Sequence, residues 1–363
     1  MQEQPIPEGV KISPFLVFYL ITSMQIGIGI LGFQRVIVAY SGNDAWISVL
    51  FAGLSLHILM WMIYKVMETV NGDIVTAHKY IFGNIVGKII SSIFVLYFTL
   101  LALTVLRSYI EVIQVWMFPS LSTFWFSLLF LLLCTYIIFG GFRTVVGIAF
   151  FSMLLPAYVH FAFGFNLKFG NYMHLLPVWD HSIKEILLGS YHMSLTYIGF
   201  EIILFCFPFI KEPQKSKKWA HFALLFTTFI YTSFMIVTIV YFSQEQLEKS
   251  IWATLTMWKI VKLPFVERIE YIGIANWNLI ILPNVCIALW AASRLLKRLM
   301  NIKQKKGVFI IALIILIVSP FFDTRAKVGF LNDLTGKAGF VLNYIYIPIL
   351  FISTMIAKKV KRS

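Results

Sequence analysis

The sequence of 363 residues is poor in charged side chains, which make up 13% of it. It has three cysteines, and none of them stands in a CxxC or other metal-like spacing. This pattern excludes a disulfide scaffold and a cysteine-based metal or redox site. The sequence has no Gly-rich phosphate loop, no Ser-His-Asp order and no paired-carboxylate motif, and its histidines are scattered. We therefore expect neither an enzyme nor a metal or cofactor site.

Apolar residues are what the chain has in abundance, at 60% of its length. A water-soluble core cannot hide this much apolar surface, so we predict an all-α integral membrane protein. Apolar windows of about 20 residues are long enough to cross a bilayer. We assign ten such spans, near 13–39, 45–64, 84–117, 123–139, 144–163, 185–209, 219–242, 270–296, 307–322 and 338–357. The first dozen residues carry acids and prolines instead of a basic region, so we expect no cleaved signal peptide.

The net charge of +14 is unevenly distributed. With ten spans, the loops on the side of both termini carry a large excess of Lys and Arg over acids, whereas the opposite loops are balanced. The positive-inside rule then places both termini in the cytoplasm. Basic runs such as "KEPQKSKK" and "KKVKRS" fit a membrane surface, so we expect no nucleic-acid partner.

Two spans are interrupted at corresponding positions. The first span breaks at the glycines of "QIGIGIL", and the sixth breaks at "TYIGFE", Thr196 to Glu201. Interrupted spans in matching positions are typical of inverted-repeat transporters. We predict one transmembrane domain over 1–363 with a 5+5 inverted repeat, unwound helices 1 and 6, repeat one at about 13–163 and repeat two at about 185–357. In the connection after span seven, Trp252, Leu255, Trp258 and Val261 have helical spacing and predict a short outer helix.

The first break is a candidate ligand site. Unwinding around Gly27, Ile28 and Gly29 would release backbone N–H and C=O groups near the bilayer midplane, where they could contact a small polar molecule. The alternative is close helix packing through small residues. The spacing is not GxxxG, and the matching break at Gly199 favours unwinding.

Charged residues also lie within predicted spans, namely Arg35, Arg107, Glu111 and Glu201, and three of them are candidate functional residues. Glu201 is either a partner for a proton or a substrate amine, or a structural tie to the released backbone. Arg107 and Glu111, at i and i+4, can neutralise each other on one helix face, with a gating role as the alternative.

Neutral candidates accompany these charges. Tyr97 and Leu101 lie earlier on the same span, ten and six residues before Arg107, and are either a pocket wall or ordinary packing. Asn284 follows Pro283 in the middle of span eight, and Ala288 shares its helix face. The Asn284 amide can bond a ligand or fill the gap that proline leaves.

These segments resemble a known family. "QIGIGIL", "YIGFE" followed by "FP", "LRSYIEV", and "PFVERIE" ahead of Trp277 are similar to the spore germination permeases, the B subunits of nutrient germinant receptors within the amino acid-polyamine-organocation superfamily. The resemblance implies a ligand pocket between spans one, three, six and eight, to which it adds Ile198 and Gly199. It also implies the spore inner membrane as location, with a membrane-embedded A subunit and a C-subunit lipoprotein as partners.

The resulting hypothesis is a nutrient-sensing subunit that binds a small, modestly apolar amino acid and triggers germination. Two alternatives remain open at this stage. One is a proton-coupled amino-acid or polyamine transporter, and the other is a scaffold subunit with a vestigial pocket.

Overall fold

The computed structural model describes residues 6–158, 162–194, 196–259 and 268–361. Within these ranges the chain is helical, with one isolated β-bridge between Ile12 and Ile210. The α-helices are α1 Leu16–Gln25, α2 Phe33–Ser41, α3 Ala45–Val70, α4 Ile74–Trp116, α5 Thr123–Phe139, α6 Phe142–Leu154, α7 Ile183–Met193, α8 Ile203–Cys206, α9 Pro213–Tyr241, α10 Gln244–Lys249, α11 Ala253–Trp258, α12 Ile269–Met300, α13 Gln304–Val318, α14 Arg325–Phe340 and α15 Ile347–Val360.

Among the described residues, six helical segments are long and apolar enough to cross a membrane, and four further apolar helices are shorter. The short ones are Leu16–Gln25, Thr123–Phe139, Phe142–Leu154 and Phe200–Phe209. The chain is therefore a multi-pass membrane protein, as its composition predicts. The count of ten spans and the 5+5 repeat stay predictions.

Helices α4 and α12 lie at the centre of the described part of the chain and contact each other more extensively than any other pair of helices there. The side chain of Asp73 caps the start of α4 by accepting from the Thr76 N–H at 3.0 Å, and Arg298 of α12 donates to the same carboxylate at 3.1 Å. Gly83, at φ +76°, bends α4 after its first turns. Residues 101–113 of α4 and 280–293 of α12 are buried on all sides, as expected for helices that are surrounded by other helices.

The last span begins earlier than its hydropathy suggests. We placed it at 338–357, but the helix starts at Arg325 and runs through α14, a π-helix at Val341–Tyr346 and α15. Charged side chains lower the hydropathy of α14, yet i,i+4 pairs such as Asp333 with Lys337, at 2.7 Å, are compatible with a helix. The segment that we read as an outer loop is therefore part of the last helix.

The π-helix in this span contacts three other parts of the chain. Asn343 donates to Glu201 at 3.4 Å, and Tyr344 shares a hydrogen bond of 2.7 Å with Ser55 of α3. Tyr346 is hydrogen-bonded to His78 in the first turns of α4. A π-helical turn inside an α-helix often marks a functional position.

Part of the predicted pattern lies outside the described residues. This applies to Val261 of the predicted outer helix and to residues 264–267 of the "PFVERIE" motif. The outer helix itself is present as α11, where Leu255 and Trp258 are buried.

Candidate ligand-binding site between two helix breaks

The first helix break lies where the glycines predict it. Helix α1 ends at Gln25, Ile26 is extended, and Gly27 has φ −138° and ψ −141°. A short 3-10 helix, Ile28–Leu31, then leads to α2. The chain therefore loses regular α-helical bonding over about two turns inside its first apolar segment.

Side chains from other helices satisfy the carbonyls that this break releases. Four donors come from α9, α11 and α12: Asn284 Nδ2 to Ser23 O at 2.6 Å, Tyr231 Oη to Gln25 O at 2.7 Å, Trp277 Nε1 to Gly27 O at 3.2 Å, and Thr254 Oγ1 to Ile30 O at 2.8 Å. Buried carbonyls of this kind need partners, since an unpaired one costs about 1–3 kcal/mol. The break is thus built into the packing of the molecule.

The second break follows α7 and centres on Gly199. This glycine has φ +118°, a conformation that residues with a side chain rarely adopt. The Glu201 carboxylate accepts from the Gly199 N–H at 2.8 Å and from the Tyr97 hydroxyl at 2.6 Å. These bonds favour the structural-tie interpretation of Glu201, because they hold the released backbone directly.

The two breaks pack against each other. Gln25 Nε2 donates to the carbonyl of Tyr197 at 3.0 Å. A Cβ placed on Gly199 would lie 2.6 Å from Cβ of Met24. A residue larger than glycine at position 199 would therefore push the two broken helices apart.

A cavity of about 380 Å³ opens between the breaks. Most of the predicted ligand residues line it: Gly27, Ile28, Gly29, Leu101, Ile198 and Asn284. Thr196 and Ser194 add hydroxyl groups, and Met24 and Phe33 add apolar surface. A concave, mostly apolar site with a few polar groups is typical of small-molecule binding.

Three predicted ligand residues do not line this cavity. Tyr97 is buried with its hydroxyl on Glu201, and Gly199 faces Met24. Ala288 is fully buried in α12, one turn beyond Asn284. Ligand contact by these three residues stays a prediction.

Comparison with known proteins decides the family. A sequence profile described as "Spore germination protein" matches residues 11–328. The chain is 43% identical over 357 residues to spore germination protein GerQB of Bacillus cereus, covering 98% of this chain and 99% of that protein. It belongs to the spore germination permease family. It is also 22% identical to spore germination protein A2 of Bacillus subtilis (strain 168), over 97% of both chains.

Solved structures show the fold of this germination permease. A Na+-coupled sialic acid symporter in a substrate-bound, outward-open state has a TM-score of 0.66 at 11% identity, covering 98% of this chain and 80% of that one. MhsT in complex with L-phenylalanine has a TM-score of 0.64 at 11% identity, covering 99% and 100%. The chain shares the fold of these two proteins, and its membership of the germination permease family confirms that it is not an enzyme.

In this permease the side chains of Arg107 and Glu111 form their hydrogen bonds with a distant segment of the chain. Glu111 accepts from Arg325 at 2.7 Å, and Arg107 Nε donates to the carbonyl of Phe322 at 2.6 Å. Segment 322–325 brings a second cation and a carbonyl against α4, but the charges of Arg107 and Glu111 also attract each other. Their mutual neutralisation stays a prediction. A gating role for the two residues stays a prediction.

Helix α14 supplies a cavity wall that the sequence analysis missed. Gly329, Asn332, Asp333, Gly336 and Lys337 all line the cavity. Their spacing of three and four residues is that of one helix face, and this signal was available in the sequence. We missed it because we read residues 323–337 as a loop.

Proposed function

We propose that this permease is the nutrient-sensing B subunit of a germinant receptor and binds a small, modestly apolar amino acid in the cavity between its helix breaks. The observation that carries the proposal is the convergence of both breaks on one cavity. In this proposal the protein lies in the spore inner membrane with both termini in the cytoplasm. It works beside an A subunit and a C-subunit lipoprotein, and ligand binding triggers germination.

The chemistry of the cavity supports an amino-acid ligand. Its volume of about 380 Å³ falls in the range of about 300–1,000 Å³ usual for small-molecule sites. Leu101 and Ile198 offer apolar surface to a short side chain, whereas Ser194, Thr196 and Asn284 can bond polar groups. The structural neighbour solved with L-phenylalanine is consistent with this ligand class.

A pair of variants on α4 tests the proposal. Leu101 is 7% exposed and lines the cavity, whereas Leu96 on the same helix is 72% exposed and lies outside the lining. Spores carrying the receptor with Leu101→Trp are expected to need more amino acid to germinate, because the indole fills the cavity. Spores with Leu96→Trp are expected to respond like wild type.

The measurement is a germination screen against single amino acids, sugars and nucleosides, with the amount of each subunit checked by immunoblot. An unchanged response of Leu101→Trp spores to every nutrient would contradict sensing in this cavity and support a vestigial pocket.

The fold favours a second candidate, a transporter with a coupled ion. The symporter among the structural neighbours is Na+-coupled, and our sequence hypothesis is a proton-coupled amino-acid or polyamine transporter. The two candidates differ in whether the protein carries its ligand across the membrane. Robust coupled uptake of an amino acid into liposomes by the isolated protein would favour transport over sensing.

A further inference from the structure

Three backbone carbonyls converge on a single side-chain nitrogen beside the first helix break. Nδ2 of Asn284 lies 2.6 Å from Ser23 O, 2.9 Å from Ile280 O and 3.5 Å from Ile26 O. The oxygens of Ser23 and Ile26 belong to the broken helix, and that of Ile280 belongs to α12. One amide group therefore joins the two helices at the point where the first one unwinds.

The orientation of this amide follows from its surroundings. A primary amide has two N–H donors at one end and a carbonyl oxygen at the other. If the amide were turned round, its oxygen would face three further oxygens without a donor between them. Asn284 Oδ1 instead lies on the side of Gly27, 2.7 Å from the position that a Cβ on this glycine would occupy.

Convergent backbone carbonyls are the ligands that hard cations use in proteins. In transporters with discontinuous helices, the carbonyls of the unwound segment hold the coupling ion. Here the three oxygens surround the positive end of an amide dipole, and Asn284 is only 3% exposed. The space between the three carbonyls is thus filled by the Asn284 amide, which is part of the chain and stays there when the ions in solution change.

We propose that Asn284 is a positioning residue whose amide takes the place of an alkali cation between the broken helix and α12. The germination permease then holds its first break together without bound Na+. This proposal does not depend on the identity of a nutrient or on nutrient binding in the cavity. It also separates the two ends of Asn284, since Nδ2 is engaged by the backbone and only Oδ1 is left for a ligand.

The first test uses the unmodified protein. The melting temperature of the purified full chain in detergent, without any nutrient, is measured in NaCl and in choline chloride of equal concentration. We expect no difference between the two salts, because the carbonyls already have their donor. A melting temperature that rises specifically in Na+ would overturn the proposal.

The second test replaces the amide. Asn284→Ser removes both N–H donors and leaves a hydroxyl oxygen beside the three carbonyls, which together make a site for a cation. We expect this variant to melt several degrees below wild type in choline chloride and to recover most of that loss in NaCl. Asn284→Ala lacks the hydroxyl and should recover less.

A matched control lies on the same helix. Asn276 also donates to the carbonyl four residues earlier, that of Ile272 at 2.9 Å, but its other partner is the hydroxyl of Tyr158. Asn276→Ser should melt at the same temperature in both salts. If Asn284→Ser were as stable as wild type in choline chloride, or lost stability without recovery in Na+, the amide would not be standing in for a cation. If Asn284→Ser does not fold in either salt, the proposal is tested by the melting temperatures of the wild-type protein in NaCl and in choline chloride.

Discussion

The hydroxyl of Tyr97 donates a hydrogen bond of 2.6 Å to the carboxylate of Glu201, and this bond joins helix α4 to the second helix break. Both side chains are buried. The same carboxylate accepts from the Gly199 N–H, so Tyr97 helps to hold the positive-φ backbone of Gly199 through Glu201.

Removing the Tyr97 hydroxyl is expected to destabilise the protein. Tyr97→Phe keeps the ring but takes one donor from a buried carboxylate, which costs about 1–3 kcal/mol. The thermal unfolding transition in detergent should move to lower temperature. Tyr136 is 79% exposed on α5, and Tyr136→Phe serves as the control that should leave the transition unchanged. Equal melting temperatures for the two variants would contradict a supporting role for the bond.

The glycine at the second break is expected to be irreplaceable. Gly199→Ala introduces a Cβ at φ +118° and at 2.6 Å from Met24, so strain and steric overlap act together. We expect a loss of more than about 2 kcal/mol of stability. Gly147 lies inside α6 with open space around its Cβ position, and Gly147→Ala should leave stability unchanged or slightly raised. The yield and melting temperature of the two variants provide the measurement.

The newly found wall of the cavity gives a third prediction. Gly329 lines the cavity from α14, and a Cβ built there meets no atom within 4 Å. Gly329→Leu should therefore fold normally while it narrows the cavity, and the nutrient concentration for half-maximal germination should rise. Phe330 is 62% exposed beside it, so Phe330→Leu is the control expected to leave that concentration unchanged. If Gly329→Leu spores and wild-type spores had identical dose responses, α14 would not be part of the binding site.

The ion pair between Glu111 and Arg325 should contribute measurably to stability. Glu111 is nearly buried, although Arg325 is about half exposed, so a double-mutant cycle with Glu111→Gln and Arg325→Gln should give a coupling of about 1 kcal/mol. The exposed pair of Asp333 and Lys337 is the internal comparison, and its coupling should be close to zero. If the two cycles gave the same coupling, Glu111 and Arg325 would be no more than a surface pair.

The helix breaks could be predicted from the sequence because glycine leaves a local signature. Gly27 and Gly199 each lie inside an apolar segment whose sequence otherwise predicts a helix, and in the structure the helix is interrupted at both glycines. The part of the cavity lining that lies around these two positions follows from them. The resemblance to the germination permeases also rests on motifs around them.

The partners of the polar residues could not be predicted, because they come from distant parts of the chain. Arg107 and Glu111 are neighbours on one helix face, yet their bonds go to segment 322–325. The Asn284 amide was predicted to bond a ligand or to fill the gap that Pro283 leaves, and its nitrogen bonds carbonyls of the broken helix and of α12. Helix α14 was missed for a different reason, since hydropathy averages over all faces of a helix and its charged residues lower that average.

The π-helix at Val341–Tyr346 fixes the rotational phase of the last span. A regular α-helix turns about 100° per residue, so removing one residue from this segment would rotate everything after it by about that angle relative to everything before it. Asn343 meets Glu201 from within the segment, and Tyr346 meets His78 at its end. The wider turn thus sets the angle between these two contacts, so the number of residues in this segment is as specific a property of the protein as its side chains.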